Sequence, residues 1–118
     1  MDFRVFDEIS GTLEMVTLQH DVLEGLVKLP EAPERYFLST PNALLLPVSS
    51  LMLSHLRVAG IRSANNLMLG AYEGKNERRL PVTLKKIENN YLVIDGNSTV
   101  VNAIYCQWEM IFGCMGED

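Results

Sequence analysis

The sequence predicts an α+β fold, in which short strands and amphipathic helices share one hydrophobic core. Between residues 91 and 108, the apolar segment Tyr91–Ile94 is followed by a polar turn and then by apolar residues at three- and four-residue steps. This change of period is typical of a strand that leads through a turn into a helix. Just upstream, Val82–Ile87 and Tyr91–Ile94 read as a β-hairpin around Glu88-Asn89-Asn90, where asparagine tolerates left-handed backbone angles.

Length and composition predict one soluble domain (residues 1–118). The chain has 118 residues, of which 47% are hydrophobic, and single domains commonly have about 100 to 150 residues. Its apolar runs are far shorter than the roughly 18 residues that a membrane span needs. The segment Met1–Arg4 lacks the layout of a signal peptide, so we expect a cytoplasmic protein without a membrane partner. Cys106 and Cys114 lie eight residues apart without a CxxC motif, which predicts buried thiols and no metal site.

The net charge of −5 is unevenly distributed along the chain. Residues 1–40 contain eight acidic and three basic side chains, whereas the segment from Arg57 to Lys86 contains seven basic and two acidic ones. The basic segment is a candidate phosphate site, although a solvated surface of mixed charge gives the same pattern. With ten lysines and arginines in total, duplex DNA is not an expected partner.

The N-terminal third is predicted to be helical. From Phe6 to Leu29, apolar residues keep largely to helical spacing with interruptions at two glycines, which predicts one broken helix or two short ones. An edge strand over Thr12–Leu18 is the alternative. We therefore expect an N-terminal helical extension (residues 1–41) attached to a core (residues 42–113).

The middle of the chain predicts a short strand followed by helical segments. Leu44–Val48 is apolar, and its proline places the strand at a sheet edge or ends it. Ser49 or Ser50 then caps a helical turn that runs through His55, and Gly60 breaks it.

A second helix is predicted over Ala64–Glu73, with Ser63 as its cap and Gly74 as its C-terminal stop. After the helix that follows the turn at residue 95, Trp108–Phe112 alternates in character and predicts a closing strand. We expect the tail, residues 113–118, to be loose.

The turn Asp95-Gly96-Asn97-Ser98-Thr99 is the strongest candidate site. Gly96 accepts unusual backbone angles, and the three residues after it can cap free N–H groups. Such a turn directs backbone donors outward, and the helix dipole adds partial positive charge, so an anion or a phosphate is the expected guest. The same residues fit a simple helix cap with nothing bound.

The region from residue 42 to 113 resembles the ParB/sulfiredoxin-like superfamily (ParB N-terminal or ParB-like nuclease domain). Its members typically carry a turn such as Gly-Glu-Arg-Arg or Asp-Gly-His-His-Arg, then an Ala-rich helix and a Gly-Trp…Ile-Pro strand. The matching segments here are Asp95–Thr99, Asn102-Ala103 and Gln107–Ile111, with Leu44–Leu51 and Arg79–Leu84 similar to the family's earlier strands. The resemblance implies a small mixed β-sheet flanked by helices.

The family resemblance also implies a ligand. Family members bind or hydrolyse CTP or ATP, and some transfer a phosphoryl group, which implies a nucleotide with Mg²⁺ or another phosphorylated ligand at the turn. Here Ser98-Thr99 stands where relatives have His-Arg, and the sulfiredoxin cysteine is absent. Arg78 and Arg79 are the best candidates to replace the missing basic residues, since a guanidinium clamps phosphate with two parallel hydrogen bonds.

Two functional hypotheses remain open at this point. In the first, a nucleotide binds with Asp95 positioning a metal or accepting a proton, Gly96–Thr99 donating to phosphate, and Arg78 or Arg79 neutralising charge. In the second, the domain is a non-enzymatic interaction or self-associating module that acts through its acidic N-terminal third, as a homo-oligomer or with a basic protein. We favour binding without demonstrable catalysis.

Overall fold

A computed structural model describes residues 1–116 as an α+β domain, as predicted. It contains a five-stranded mixed sheet and a separate two-stranded sheet. The strands are β1 (Asp2–Asp7), β2 (Thr12–Thr17), β3 (Leu44–Pro47), β4 (Leu51–Met52), β5 (Val82–Ile87), β6 (Asn90–Asp95) and β7 (Met110–Met115). The helices are α1 (His20–Leu23), α2 (Pro33–Tyr36), α3 (Val58–Tyr72) and α4 (Asn97–Tyr105), with one 3₁₀ turn at Val48–Ser50.

The five-stranded sheet has the order β3-β7-β5-β6-β4. β5 and β6 form the predicted antiparallel hairpin, while β7 runs parallel to β5 and antiparallel to β3. β4 pairs parallel to β6 at the far edge. The turn between β5 and β6 consists of Glu88 and Asn89, and its left-handed residue is Glu88, with φ 54°, and not an asparagine; Asn90 already belongs to β6.

The hydrophobic core brings together one side of the large sheet and helices α3 and α4. Its fully buried members include Ile61 and Met68 of α3 and Val100 and Val101 of α4. Trp108 lies between α4 and β7, with its ring centroid 4.7 Å from that of Tyr36. Its indole Nε1 donates to the carbonyl oxygen of Leu29 at 2.9 Å, so a segment far away in sequence is fixed to the core.

The predicted N-terminal helical extension (residues 1–41) is wrong. β1 and β2 form an antiparallel hairpin with Asp2 opposite Thr17 and Asp7 opposite Thr12, and each helix of this region has four residues. The alternative, an edge strand over Thr12–Leu18, is confirmed for Thr12–Thr17. The burial pattern contradicts the helical stripe: Ile9, which the stripe would bury, is 99% exposed, whereas Phe3, which lies outside the stripe, is buried.

The first predicted helical turn is also wrong. Only the 3₁₀ turn at Val48–Ser50 is helical, and it is followed by β4, whose side chains are buried. Helix α3 then starts at Val58 and passes through Gly60 without a break. A Cβ atom at Gly60 would lie 2.6 Å from Ser98 Oγ, so this glycine permits close packing of α3 against α4.

The ends of α3 and β7 agree in part with the bounds predicted from the sequence. Gly74, with φ 75°, follows the end of α3 as predicted, whereas Ser63 lies inside the helix and does not cap it. β7 begins two residues later than predicted and extends to Met115, because it pairs with both β3 and β5. Residues 113–115 are therefore not loose, and residues 117–118 of the predicted tail lie outside the described part.

None of the helices within residues 1–116 combines the length and the apolar content that a bilayer crossing requires. Both cysteines are free thiols of intermediate exposure. Cys114 lies within β7, whereas the sequence placed it after the last strand.

Candidate functional site

The predicted strand–turn–helix is present at the start of α4. β6 ends at Asp95, Gly96 adopts a left-handed conformation with φ 104°, and α4 begins at Asn97. A side chain at Gly96 would be strained by this angle and would also place its Cβ 2.7 Å from Val82 Cγ1. The first intrahelical hydrogen bond runs from Val100 N to Gly96 O, and no side chain in the described part of the protein caps the start of the helix. The first backbone N–H groups of α4 therefore lack intrahelical partners, and no side-chain cap replaces them.

The start of α3 lies beside the start of α4. Gly60, in the first turn of α3, approaches Ser98 in the first turn of α4. Arg57 occupies the N-cap position of α3, and its side chain makes no capping hydrogen bond there. The positive ends of two helix dipoles therefore point toward one region of the surface.

A groove in two adjoining parts opens at this point. Both parts are lined by Arg79, Asp95, Gly96 and Thr99. The inter-helix part, of about 300 Å³, also contains His55, Arg57, Gly60, Ser63, Ala64, Leu67, Asn97 and Ser98. The sheet part, of about 550 Å³, also contains Thr40, Pro41, Asn42, Leu80, Pro81, Val82, Thr83, Cys114 and Met115.

Two arginine side chains in the groove have no hydrogen-bond or ion-pair partner among the described residues. Within residues 1–116, neither guanidinium of Arg57 and Arg79 makes a hydrogen bond or an ion pair. The backbone of Arg79 is nevertheless fixed, because its N–H donates to Tyr36 O and its carbonyl accepts from Leu38 N, both at 2.8 Å. The protein thus holds a half-buried arginine in place while its charged end remains available.

The structure separates the two arginines that the sequence grouped together. Arg79 lines both parts of the groove, whereas Arg78 lines a different depression, which also contains Phe37 and Phe112. Arg79 pairs with Phe37 in an extended bridge, and side chains of successive extended residues point in opposite directions. Arg78 is therefore not positioned to share a ligand with Gly96–Thr99.

The side chain of Asn97 is already occupied. Its Oδ1 accepts from Ser54 N at 2.9 Å, and its Nδ2 donates to Ser54 Oγ at 2.9 Å and lies 3.5 Å from His55 Nε2. Asn97 thus fixes the loop that carries His55 and Arg57 against α4, and only its backbone N–H is left for a ligand. No local pattern predicts this contact, because the two residues are 43 positions apart.

Two further buried asparagines hold the helices behind the groove. Asn102 Nδ2 donates to Ile61 O on α3 at 3.1 Å and to Ser98 O on α4 at 2.9 Å. Asn65 Nδ2 donates to Asn102 Oδ1 at 2.8 Å, and Asn65 also exchanges hydrogen bonds with both backbone groups of Val27. The walls of the inter-helix part are therefore connected by a satisfied polar network, which fixes their separation.

The two thiols are free and have different neighbours. Burial raises the pKa of the Cys106 thiol, whose sulfur accepts from Leu29 N at 3.3 Å. Cys114 borders the sheet part of the groove, with its sulfur 3.6 Å from Thr40 Oγ1. Among the described residues, no three His, Cys, Asp or Glu side chains are grouped closely enough to hold a metal ion.

Comparisons with family models, with curated proteins and with solved structures give no match to this chain. The resemblance to the ParB/sulfiredoxin-like superfamily therefore stays a prediction.

Proposed function

We propose that this protein binds a nucleotide or another phosphate-bearing ligand in the groove at the start of α4, without demonstrable catalysis. The observation that carries the proposal is the start of α4, which has no side-chain cap and opens into the same groove as the guanidiniums of Arg57 and Arg79, neither of which has a partner within residues 1–116. The ParB-like resemblance of the turn points to the same ligand class.

The groove offers two kinds of donor to a phosphate. Backbone N–H groups at a helix start donate to phosphate oxygens, and the helix dipole favours negative charge there. A guanidinium adds charge-assisted hydrogen bonds, which are roughly twice as strong as neutral ones. Arg79 borders both parts of the groove, so it can contact a phosphate placed at Gly96–Thr99 from either side.

The groove also has room for more than a phosphate. Its two parts, of about 300 and 550 Å³, fall in the size range of small-molecule sites, roughly 300 to 1,000 Å³. Leu80, Pro81 and Met115 give the sheet part an apolar side on which the rest of a ligand can pack.

Asp95 has the chemistry of a Mg²⁺ ligand in this arrangement. Its carboxylate is exposed, lines both parts of the groove, and has no hydrogen-bond partner within residues 1–116. Mg²⁺ is usually held by one or two carboxylates together with substrate phosphates, so a single carboxylate fits a metal that arrives with a nucleotide. Asp95 also remains the proposed proton acceptor if a reaction occurs.

A thermal-shift experiment tests the proposal. ATP, CTP, GTP, ADP and inorganic phosphate are each added with and without Mg²⁺, and a ligand at 100 times its Kd stabilises the fold by about 2.7 kcal/mol. We expect at least one of them to raise the midpoint, and we expect Arg79→Ala and Arg57→Ala to reduce the shift.

Arg78→Ala is the matched control, because it removes the same charge outside the groove. An equal loss of the shift in Arg78→Ala and Arg79→Ala would mean that general electrostatics, and not this groove, binds the anion. If no nucleotide or phosphate raises the midpoint, the proposal is wrong.

The second candidate function is a non-enzymatic interaction or self-associating module. The exposed, acidic hairpin formed by β1 and β2 favours the interaction with a basic partner, because two acidic copies of this segment repel each other.

A further inference from the structure

The strand β2 is an open sheet edge. β1 and β2 form a sheet of two strands, and the other side of β1 is occupied by Leu53, whose N–H donates to Arg4 O and whose carbonyl accepts from Phe6 N. Within residues 1–116, no strand or bridge pairs with the other side of β2. An unpaired row of backbone donors and acceptors is a template for another strand.

The register identifies the backbone groups of β2 that point to this open side. Arg4 and Phe6 direct their backbone groups away from β2, and they lie opposite Met15 and Leu13. In an antiparallel pair the residues opposite such positions also point outward, so the N–H and carbonyl groups of Leu13 and Met15 face the open edge. The N–H and carbonyl groups of Thr17 also face the open edge, because the direction of the backbone groups alternates along the strand.

The side chains along this edge are unusually apolar for an exposed strand. No residue of β2 is buried, and the side chains of Leu13 and Met15 are 48% and 59% exposed. Both lie on the hairpin face opposite to Phe3, the residue that anchors the hairpin in the core. Natural edge strands are often protected by charged side chains, especially lysine, or by proline; β2 contains no lysine or proline, and its one charge is that of Glu14.

Charge indicates what kind of strand fits this edge. Residues 5–27 contain five acidic side chains and no lysine or arginine. Glu8 is paired with Lys85 at 2.7 Å, and Asp7 accepts a hydrogen bond from Ile9 N, but the carboxylate of Glu14 in β2 has no partner in the described part of the chain. Two copies of this segment would repel each other, whereas a basic segment would be attracted.

We propose that β2 is a docking strand for an extended, basic peptide segment, which adds to the hairpin as a third strand. The peptide exchanges backbone hydrogen bonds with Leu13, Met15 and Thr17. Its apolar side chains lie against Leu13 and Met15 on one face, and its lysine or arginine side chains lie near Glu14 on the other, as the alternation of a strand requires. This inference does not depend on ligand binding in the groove at α4.

Amide hydrogen exchange by NMR tests the proposal with a defined probe. A short capped peptide of alternating lysine and valine is titrated into the protein at low salt, and a peptide of alternating glutamate and valine is the matched control. We expect the lysine peptide to slow exchange at Leu13, Met15 and Thr17, the outward amides, while those of Glu14 and Val16 are already bonded within the hairpin. The glutamate peptide should have no such effect.

Two variants separate edge pairing from general charge attraction. Met15→Pro removes one outward N–H that the hairpin does not use, and proline is tolerated at such edge positions, so we expect a folded protein that no longer binds the peptide. Glu14→Lys should weaken binding of the peptide about fivefold, which is the upper end of what a single cross-strand pair contributes. Glu77→Lys, in the loop after α3, makes the same charge change away from the edge and should not weaken it.

Three outcomes would overturn the proposal. The first is equal binding of the lysine peptide to Met15→Pro and to the unmodified protein. The second is protection that appears elsewhere than in β2. The third is a concentration-dependent dimer, detected by sedimentation, that Met15→Pro dissociates, since the occupant of the edge would then be a second copy of this chain.

Discussion

Helix α4 and strand β2 belong to one domain but are held in place by different forces. Six of the nine residues of α4 are buried, whereas none of the six residues of β2 is. α4 is fixed by side-chain packing and by the asparagine network, while β2 is fixed by its backbone bonds to β1 and through the burial of Phe3. The proposed ligand groove therefore has rigid walls, and the proposed peptide-docking edge lies on a more weakly held element.

The largest effect is expected from removing the indole of Trp108, which connects the region after α4 to the N-terminal segment at Leu29. Trp108→Ala deletes a buried ring together with its hydrogen bond to Leu29 O, and losses of this kind cost about 3–5 kcal/mol. The free energy of unfolding, measured by denaturant titration, should fall by that amount. Trp108→Phe should lose clearly less, because a ring is kept. A loss below about 1 kcal/mol in Trp108→Ala would show that the region around α4 is not held by buried packing more strongly than β2 is.

A smaller effect is expected from high pH, and it acts through Cys106, directly after α4, and Tyr36, whose ring stacks on Tyr72 of α3. Burial raises the pKa of Tyr36 and that of Cys106 above their ordinary values. As the pH rises, the unfolded chain releases these protons first, so the folded state binds more protons and the free energy of unfolding falls. Full stabilisation is expected below about pH 8.5, the ordinary pKa of a cysteine, with a further fall above about pH 10 as unfolded tyrosine ionises.

Substitution of Cys106 and of Tyr36 shows which side chain causes each part of this pH dependence. Cys106→Ala should reduce the loss of stability that begins near about pH 8.5, and Tyr36→Phe should reduce the further loss above about pH 10. Stability that stays constant between pH 8 and pH 10.5 would contradict the raised pKa values.

The smallest effect is expected on the outer face of the hairpin. Met15→Ala removes a side chain that is mostly in water, so the free energy of unfolding should change by no more than about 0.5 kcal/mol. The same denaturant titration measures it beside Trp108→Ala. A loss above about 1 kcal/mol would show that this face is covered, and the comparison between the two regions would fail.

The segment from β5 to α4 was more predictable than the N-terminal hairpin. The turn at Gly96 and the stop at Gly74 follow from backbone angles that glycine adopts at little cost, and both were predicted from the sequence. The β5–β6 hairpin followed from its strand-forming residues. The sequence predicts helix where β1 and β2 form a hairpin, because Phe6, Ile9 and Leu13 lie at helical steps; the structure instead buries Phe3 and leaves Ile9 exposed.

The sequence by itself determined the local geometry of the candidate site, namely a strand, a left-handed glycine and a helix start, because each depends on neighbouring residues. Tertiary structure alone decided that Arg79 and not Arg78 faces the groove, that Arg57 joins it, and that the side chain of Asn97 is used by Ser54. These choices depend on contacts between residues far apart in the sequence, such as Ser54 and Asn97, which are 43 positions apart. Which side chains face the groove is set by which side chains the core can bury, and no local pattern contains that information.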